Sequence, residues 1–538
     1  MARTLQLGII SGLAALAGLA CDTAQAQLRP DEVLVVYDSR NPDSKTVAEY
    51  YAGSAAVPGG VGGLRGARPG VRTFDLATSG QPLAPAGNIS YANFVTQIRN
   101  PIRTFLTNNS LAQTVRCLVT TKGMPHRVQD TTNPNAGDDP NALITEYSNS
   151  DATMAATDAE LALLWINLDT GEAGGSGDSL SDGVVQNPYW RQTTPIRAAF
   201  NTNIQANKVF LRNGTGPTWL PQGTSTNTYH LNPGDIYLVS RLDGLTVADV
   251  EGMIDRARNI YYDTTSMAVL LDESGSNGIA DATANLELDN SNTGFPPVWD
   301  SDDYETTRDE LLADHRFAPA FTQYNAAAGG AQFFVGPRLS WSSGILINQP
   351  VVLVASYGAN HSGLPSTTGG TSAATIYATS YNYPNGAIFN TIESYNGRDF
   401  GGLGQRVGIA QQQASSFIAA GGTFAIGNVW EPLADTVGDN RYLSRNFIRG
   451  NLSWGEAAMS AIPALSWQQM ALGDPLARAF RSSEDVNHDQ RVTVDDLYTW
   501  EASPSDVNGD GSVNTADRQF IVDAVRSWER AELTTGRQ

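Results

Sequence analysis

The sequence predicts an α/β protein: a doubly wound, mostly parallel sheet, followed by a small α-helical module at the C-terminus. Three observations carry this. Short apolar runs such as "VLVVY" (Val33 to Tyr37) and "VVLVASY" (Val351 to Tyr357) are continuous rather than alternating, as strands buried on both faces require. Segments with helical periodicity separate these runs, the pattern of a parallel sheet wound with helices. Two acidic twelve-residue loops, each leading into an amphipathic stretch, close the chain.

In order, Val33 to Tyr37 reads as the first strand, and Asp43 or Ser44 is positioned to cap a helix carrying Val47, Tyr50 and Tyr51. "VRTFDL" (Val71 to Leu76) gives a second strand. Asn93 to Leu106 is helical, with Pro101 kinking or dividing it. "VRCLVTT" (Val115 to Thr121) is the third strand, which makes Cys117 a core thiol rather than a nucleophile. "DTTNPNAGDD", "DTGEAGGSGDSLSDG" and "RNGTGPTWLPQGTSTN" read as long polar surface insertions. A strand in Gly234 to Gly244, a helix from Val247 to Ile260 and a strand in "SMAVLLDES" resume the alternation. "WDSDDYETTRDELLADH" reads as a solvated acidic loop entering a helix. The predicted divisions are a leader over 1–26, the α/β domain over 27–480 with a sub-boundary near 235–330, and the tail over 484–534.

"VVLVASYGANHSG" runs a strand into a loop with His361, and Ala387 to Ile392 is a strand with Glu393, Ser394 and Asn396 just past its end. A helix (Ala410 to Ala420) and the strand "GTFAIGNVWEP" follow. Chemistry in open parallel sheets collects at the carboxyl ends of strands. His361 and Ser394 are therefore expected side by side, with His361 as base to the Ser394 hydroxyl and Glu393 or Asp399 orienting it. No H-E-x-x-H, G-x-S-x-G, phosphate-binding loop or zinc-type Cys/His cluster is found.

In the tail, "DVNGDGSVNTAD" places oxygen donors at positions 1, 3, 5, 7, 9 and 12 of a calcium loop: Asp506, Asn508, Asp510, Ser512 through its carbonyl, Asn514 and Asp517. Upstream, "DVNHDQRVTVDD" offers Asp485, Asn487, Asp489, the Arg491 carbonyl, Thr493 and Asp496. Gly511 suits the sharp turn at position 6. Gln490 stands there in the first loop, where a left-handed backbone costs roughly 1–2 kcal/mol, so the second loop is expected to bind Ca2+ more strongly.

The N-terminus has one Arg, an apolar run from Leu5 to Ala20 and Ala24-Gln25-Ala26 before Gln27, which reads as a secretory signal cleaved after Ala26. A lipoprotein anchor at Cys21 is the alternative. No later stretch is long and apolar enough to span a bilayer. With the leader removed only Cys117 remains, so no intramolecular disulfide can form. The formal net charge of −21, with only 17% charged residues, suits an extracellular milieu and argues against nucleic acid.

The paired loops, their opening "DVN" and Asp at both twelfth positions resemble a dockerin module over about the last 55 residues. That resemblance implies two calcium ions and a cohesin-like or cell-surface partner. The sequence departs from it: the loops start only 21 residues apart, Pro504 shortens the first helix (Leu497 to Ser503), and Val494-Asp495 and Thr515-Ala516 occupy partner-reading positions. The strand order around His361 and Ser394 resembles gingipain-type, caspase-like peptidases over about 350–430, although no Cys stands at the nucleophile position. The segments "TTKGMPHRV", "SRLDG", "GNVWEPLAD" and "LSWQQMALGDPL" are similar to an uncharacterised family of secreted bacterial proteins. Three functions are left open. The favoured one is a non-catalytic, degenerate peptidase fold docked through its tail. The others are a Ser-His hydrolase, and a polysaccharide-degrading enzyme of a cohesin–dockerin system, for which no carboxylate pair stands out.

Overall fold

The structure is a computed structural model that describes residues 28–53, 66–129, 154–166, 185–195, 210–212, 219–221, 231–273, 303–326, 330–358, 363–401, 413–430 and 437–535. The predicted leader with Cys21, the predicted insertions at 130–139 and 169–183, most of the one predicted at 212–227, and His361 lie outside the described residues.

A ten-stranded sheet organises the α/β domain. Its strands are β1 (Val33–Tyr37), β2 (Arg72–Asp75), β3 (Cys117–Thr121), β4 (Leu238–Leu242), β6 (Ala268–Asp272), β7 (Thr322–Asn325), β8 (Val351–Ser356), β9 (Ile388–Thr391), β10 (Phe424–Asn428) and β11 (Gln469–Leu472). Two short strands, β5 (Ile260–Tyr262) and β12 (Ala479–Arg481), pair with each other outside it. The order across the large sheet is β7-β6-β8-β9-β10-β11-β4-β3-β1-β2. Every neighbouring pair is parallel except β10 with β11, so two parallel five-stranded halves meet at one antiparallel seam. The eight inner strands are buried at every position, whereas the edge strands β2 and β7 are mostly half-buried. The continuous apolar runs thus occupy the positions that demand them.

Local chemistry differs from the sequence reading in three places. Helix α1 (Pro42–Ala52) is capped by Asn41, whose side chain accepts from the Asp43 and Ser44 amides. Ser44 instead accepts from the Asp38 amide and meets the Thr121 hydroxyl. Pro101 neither breaks nor divides its helix. The helix runs on from Tyr91 through Asn108, and a π-helical turn over Val95–Arg99 stands directly before α2 (Asn100–Asn108), the local widening that accommodates Pro101 without an N–H. The acidic entry at 299–302 lies outside the described residues, and the first turn of the helix that follows is buried rather than solvated. In α4 (Asp303–Ala313) Asp303, Tyr304, Glu305, Thr306 and Thr307 are all buried. The Asp303 carboxylate accepts from the Asn440 and Arg441 amides and from the Asn440 side chain. Burial and neighbouring Asp439 push its pKa well up.

The remaining helices used below are α3 (Val247–Arg256), α5 (Gln413–Ala419), α6 (Trp454–Ala461), α7 (Val494–Ala502) and α8 (Thr515–Thr535). Cys117 is fully buried in β3, and burial drives its thiol pKa well up, so it remains an unreactive core group. The tail has its own small core of Val492, Trp500, Val507, Ile521, Ala524, Val525 and Trp528, joined by Phe480 from β12. Among the described residues no helix is long and apolar enough to cross a membrane.

Candidate functional site

The two tail loops fold in closely similar ways. In the first, the carboxylate at position 1, Asp485, accepts from the amides of Asp489 and Gln490. Asn487 and Asp489 accept from the amides two residues on, and the Thr493 hydroxyl from Asp495. Asp496 at position 12 accepts from the amides of Asn487 and Thr493. The second loop repeats the set, except that its first carboxylate takes the position-4 amide where Asp485 takes that of position 5. Asp506 takes the Gly509 and Gly511 amides, Asn508 and Asp510 take those of Asp510 and Ser512, and Asn514 takes that of Ala516. Asp517 closes it on the Val507, Asn508 and Asn514 amides.

The backbone agrees as well. Positions 4 and 6 are left-handed in both loops: His488 (φ 60°) and Gln490 (φ 64°), then Gly509 (φ 75°) and Gly511 (φ 82°). Gln490 therefore adopts the strained conformation that its position demands. Asp485, Asp496 and Asp517 are fully buried, while positions 5 to 7 of each loop are exposed. Burial raises the Asp496 carboxyl above its ordinary value. The donor set is wholly oxygen, from carboxylates, amide side chains, a hydroxyl and a carbonyl, which suits a hard divalent cation and not a soft one. Among the described residues, no three His, Cys, Asp or Glu side chains converge as a ready metal-holding group. The end carboxylates of each loop are directed at backbone amides, and part of the donor set consists of Asn, Thr, Ser and carbonyl oxygen.

At the strand ends, β8 and β9 are adjacent and parallel, with Ser356 opposite Thr391. The turn after β8 and Ser394 after β9 thus emerge from neighbouring strands. Ser394 is half-buried. Tyr395, immediately after it, is left-handed (φ 62°), an uncommon conformation for a bulky residue. The Glu393 carboxylate accepts from Tyr377 Oη at 2.9 Å and lies against Gly358 (φ 53°), where an added Cβ would fall 1.9 Å from Glu393 Oε1. Burial and this carboxylate drive the Tyr377 phenol well up. Asp399 is buried too, and its carbonyl accepts from Ser415. Trp190, Tyr357, Ile392 and Val437 form a separate apolar cluster beside these strand ends.

Sequence reasoning noticed two segments here without seeing their use. "TTKGMPHRV" and "SRLDG" follow or span the ends of β3 and β4. Lys122 Nζ donates to the Gly244 carbonyl (2.7 Å) and lies 3.5 Å from Asp243. Arg241 bonds both Asp158 and Asp243. His126 Nε2 meets the Arg398 carbonyl at 2.7 Å. Burial, then Arg127 and Arg241, hold the His126 imidazole well below its usual pKa, so it is neutral and donates there. These groups hold the segment 393–401, which passes β10 where Gly397 packs on Gly427, in one hydrogen-bonded frame. A histidine and a lysine close after a strand were the available signal.

No family model matches the chain, and neither a curated protein nor a solved structure matches it.

Proposed function

We infer that this is an exported protein whose α/β domain, of degenerate caspase- or gingipain-like type, binds rather than cleaves, and whose dockerin-like tail folds around two calcium ions to dock it. The observation that carries the reading is the close match of the two tail loops: both have left-handed residues at positions 4 and 6, a position-1 carboxylate on the position-6 amide, and a position-12 carboxylate on the position-3 and position-9 amides. Neither a random acidic turn nor an ordinary helix connection requires such a match twice. Asp485, Asn487, Asp489, the Arg491 carbonyl, Thr493 and Asp496 would hold one ion. Asp506, Asn508, Asp510, the Ser512 carbonyl, Asn514 and Asp517 would hold the other, more tightly. Bound calcium supplies charge neutralisation to clustered carboxylates and makes its binding free energy available to folding. Docking to a cohesin-like or cell-surface partner is supported by Val494, Tyr498 and Val513, exposed apolar side chains on this small module. Calorimetric titration of the full chain with calcium tests the reading. Two sites are expected, and Asp506→Ala with Asp517→Ala removes the tighter one. Absence of any binding heat, with no change in helix content, overturns it.

A second reading, a Ser-His hydrolase, is favoured by the pairing of β8 with β9 and by the strained Tyr395 next to Ser394. A serine-reactive fluorophosphonate probe would then label the wild type but neither Ser394→Ala nor His361→Ala. An unlabelled wild type rules this reading out.

A further inference from the structure

The tail is not suspended from the α/β domain. Strand β12 pairs with β5 in parallel, Ile260 opposite Ala479 and Tyr262 opposite Arg481, and the chain enters the first loop at Asp485, four residues later. Arg481, fully buried, pairs with Glu484 and donates to the carbonyls of Ile448 (3.1 Å) and Gly450 (2.7 Å). Thr264 and Ser482 share a hydroxyl contact at 2.9 Å. Beyond this junction, residues of the loops themselves touch the domain. Tyr261 Oη, from β5, donates to Asp485 Oδ2 at 2.7 Å. Asp485 is position 1 of the first loop. In the second, position 4 is Gly509, and a Cβ there would lie 2.6 Å from Asp314 Oδ1 and 3.0 Å from Arg316 Cγ. Arg316 also stacks its guanidinium 5.3 Å from the Phe520 ring of α8. Asp314 is fixed in turn by Arg316 and Arg449. The Phe480 and Trp528 rings close the contact at 4.6 Å.

We propose that the tail is an intramolecular clamp: cation binding in its two loops is linked to the stability of the α/β domain through Tyr261–Asp485 and through Gly509 seated on Asp314 and Arg316. This rests on the calcium reading above and adds a partner to it, the domain of the same chain. The physical reason is reciprocity. Groups that are ordered by the cation are the groups that the domain holds, so each event lowers the ordering cost of the other.

The test uses the full chain, with calcium and with chelator. Hydrogen exchange is followed in peptides covering Ile260–Tyr262 and Arg316–Phe321, both outside the tail. Calcium at a hundredfold excess over its dissociation constant is expected to slow exchange in both peptides. It should also raise the melting midpoint of the whole chain by about 3 °C, in one transition. The chain with Asp506→Ala and Asp517→Ala loses the effect at Arg316–Phe321. Tyr261→Phe keeps calcium binding at the second loop but shrinks the effect at Ile260–Tyr262. Calcium heat in the calorimeter with unchanged exchange in both peptides overturns the clamp and leaves the calcium reading standing. No calcium heat overturns both.

Discussion

Gln490 and Gly511 occupy the same loop position with nearly the same backbone, φ 64° and 82°, yet only one is glycine. Exchanging the residue types should move the two loops in opposite directions. A non-glycine residue in left-handed conformation costs roughly 1–2 kcal/mol, and glycine returns roughly 0.4–1 kcal/mol through its freer unfolded chain. Gln490→Gly therefore gains about 1 kcal/mol. Gly511→Gln loses a similar amount through strain alone, since no atom lies within 4 Å of the Cβ position. Each corresponds to about a fivefold change in an equilibrium constant. The gain registers in calcium affinity to the extent that the empty loop relaxes out of the left-handed state. Otherwise it registers as melting temperature in chelator. Titration calorimetry and thermal unfolding of both variants measure the two parts. A sum near zero for Gln490→Gly, or the same sign for both variants, refutes the assignment of strain to this position.

Burial lifts the Asp272 carboxyl to about 7, against 3.8 ordinarily, although it accepts from the Phe334 amide and Asn325. Its folded form therefore binds the proton more tightly than its unfolded form. The associated stability is complete below about pH 4 and is lost as pH rises through 7, by about 4 kcal/mol at most, and denaturant melts from pH 4 to 8 should show a slope that Asp272→Asn removes. Asp474 accepts from both Tyr51 and Arg68 in a fully buried setting, so Asp474→Ala should cost about 3–5 kcal/mol in urea unfolding and the double change Arg68→Met with Asp474→Leu distinctly less. Cys117 should resist alkylation in the folded protein and react fully in denaturant, as read by intact mass. If the proposed export holds, mass spectrometry of the mature protein should find Gln27 first, whereas a lipid-modified Cys21 would establish the anchor instead.

Most of the large sheet was legible because its inner strands are buried on both faces and must be apolar throughout, as in Val33–Tyr37 and Val351–Ser356. Strand β11 was missed for the opposite reason. It begins at a glutamine, and Gln469 is buried by pairing with β10 and meeting Asn428, a long-range contact that leaves no local periodicity. The buried first turn of α4 was misread likewise, because the anchors of Asp303 come from Asn440 and Arg441, more than a hundred residues on. The turns of the two tail loops were legible where their hydrogen bonds run between residues of the same loop. The contact of Tyr261 with Asp485, across 224 residues, was not.

The antiparallel seam also sets a schedule for the chain. Strand β11 lies between β4 and β10, in the middle of the sheet, but is the last of the ten strands to be made. Until residue 472 is available, each half exposes an unpaired inner edge, β4 on one side and β10 on the other. Such edges recruit other strands readily. A polypeptide that crosses a membrane before folding would present both edges only once the middle strand is within reach. Truncation before Gln469 should therefore yield two sticky half-sheets rather than a shortened domain.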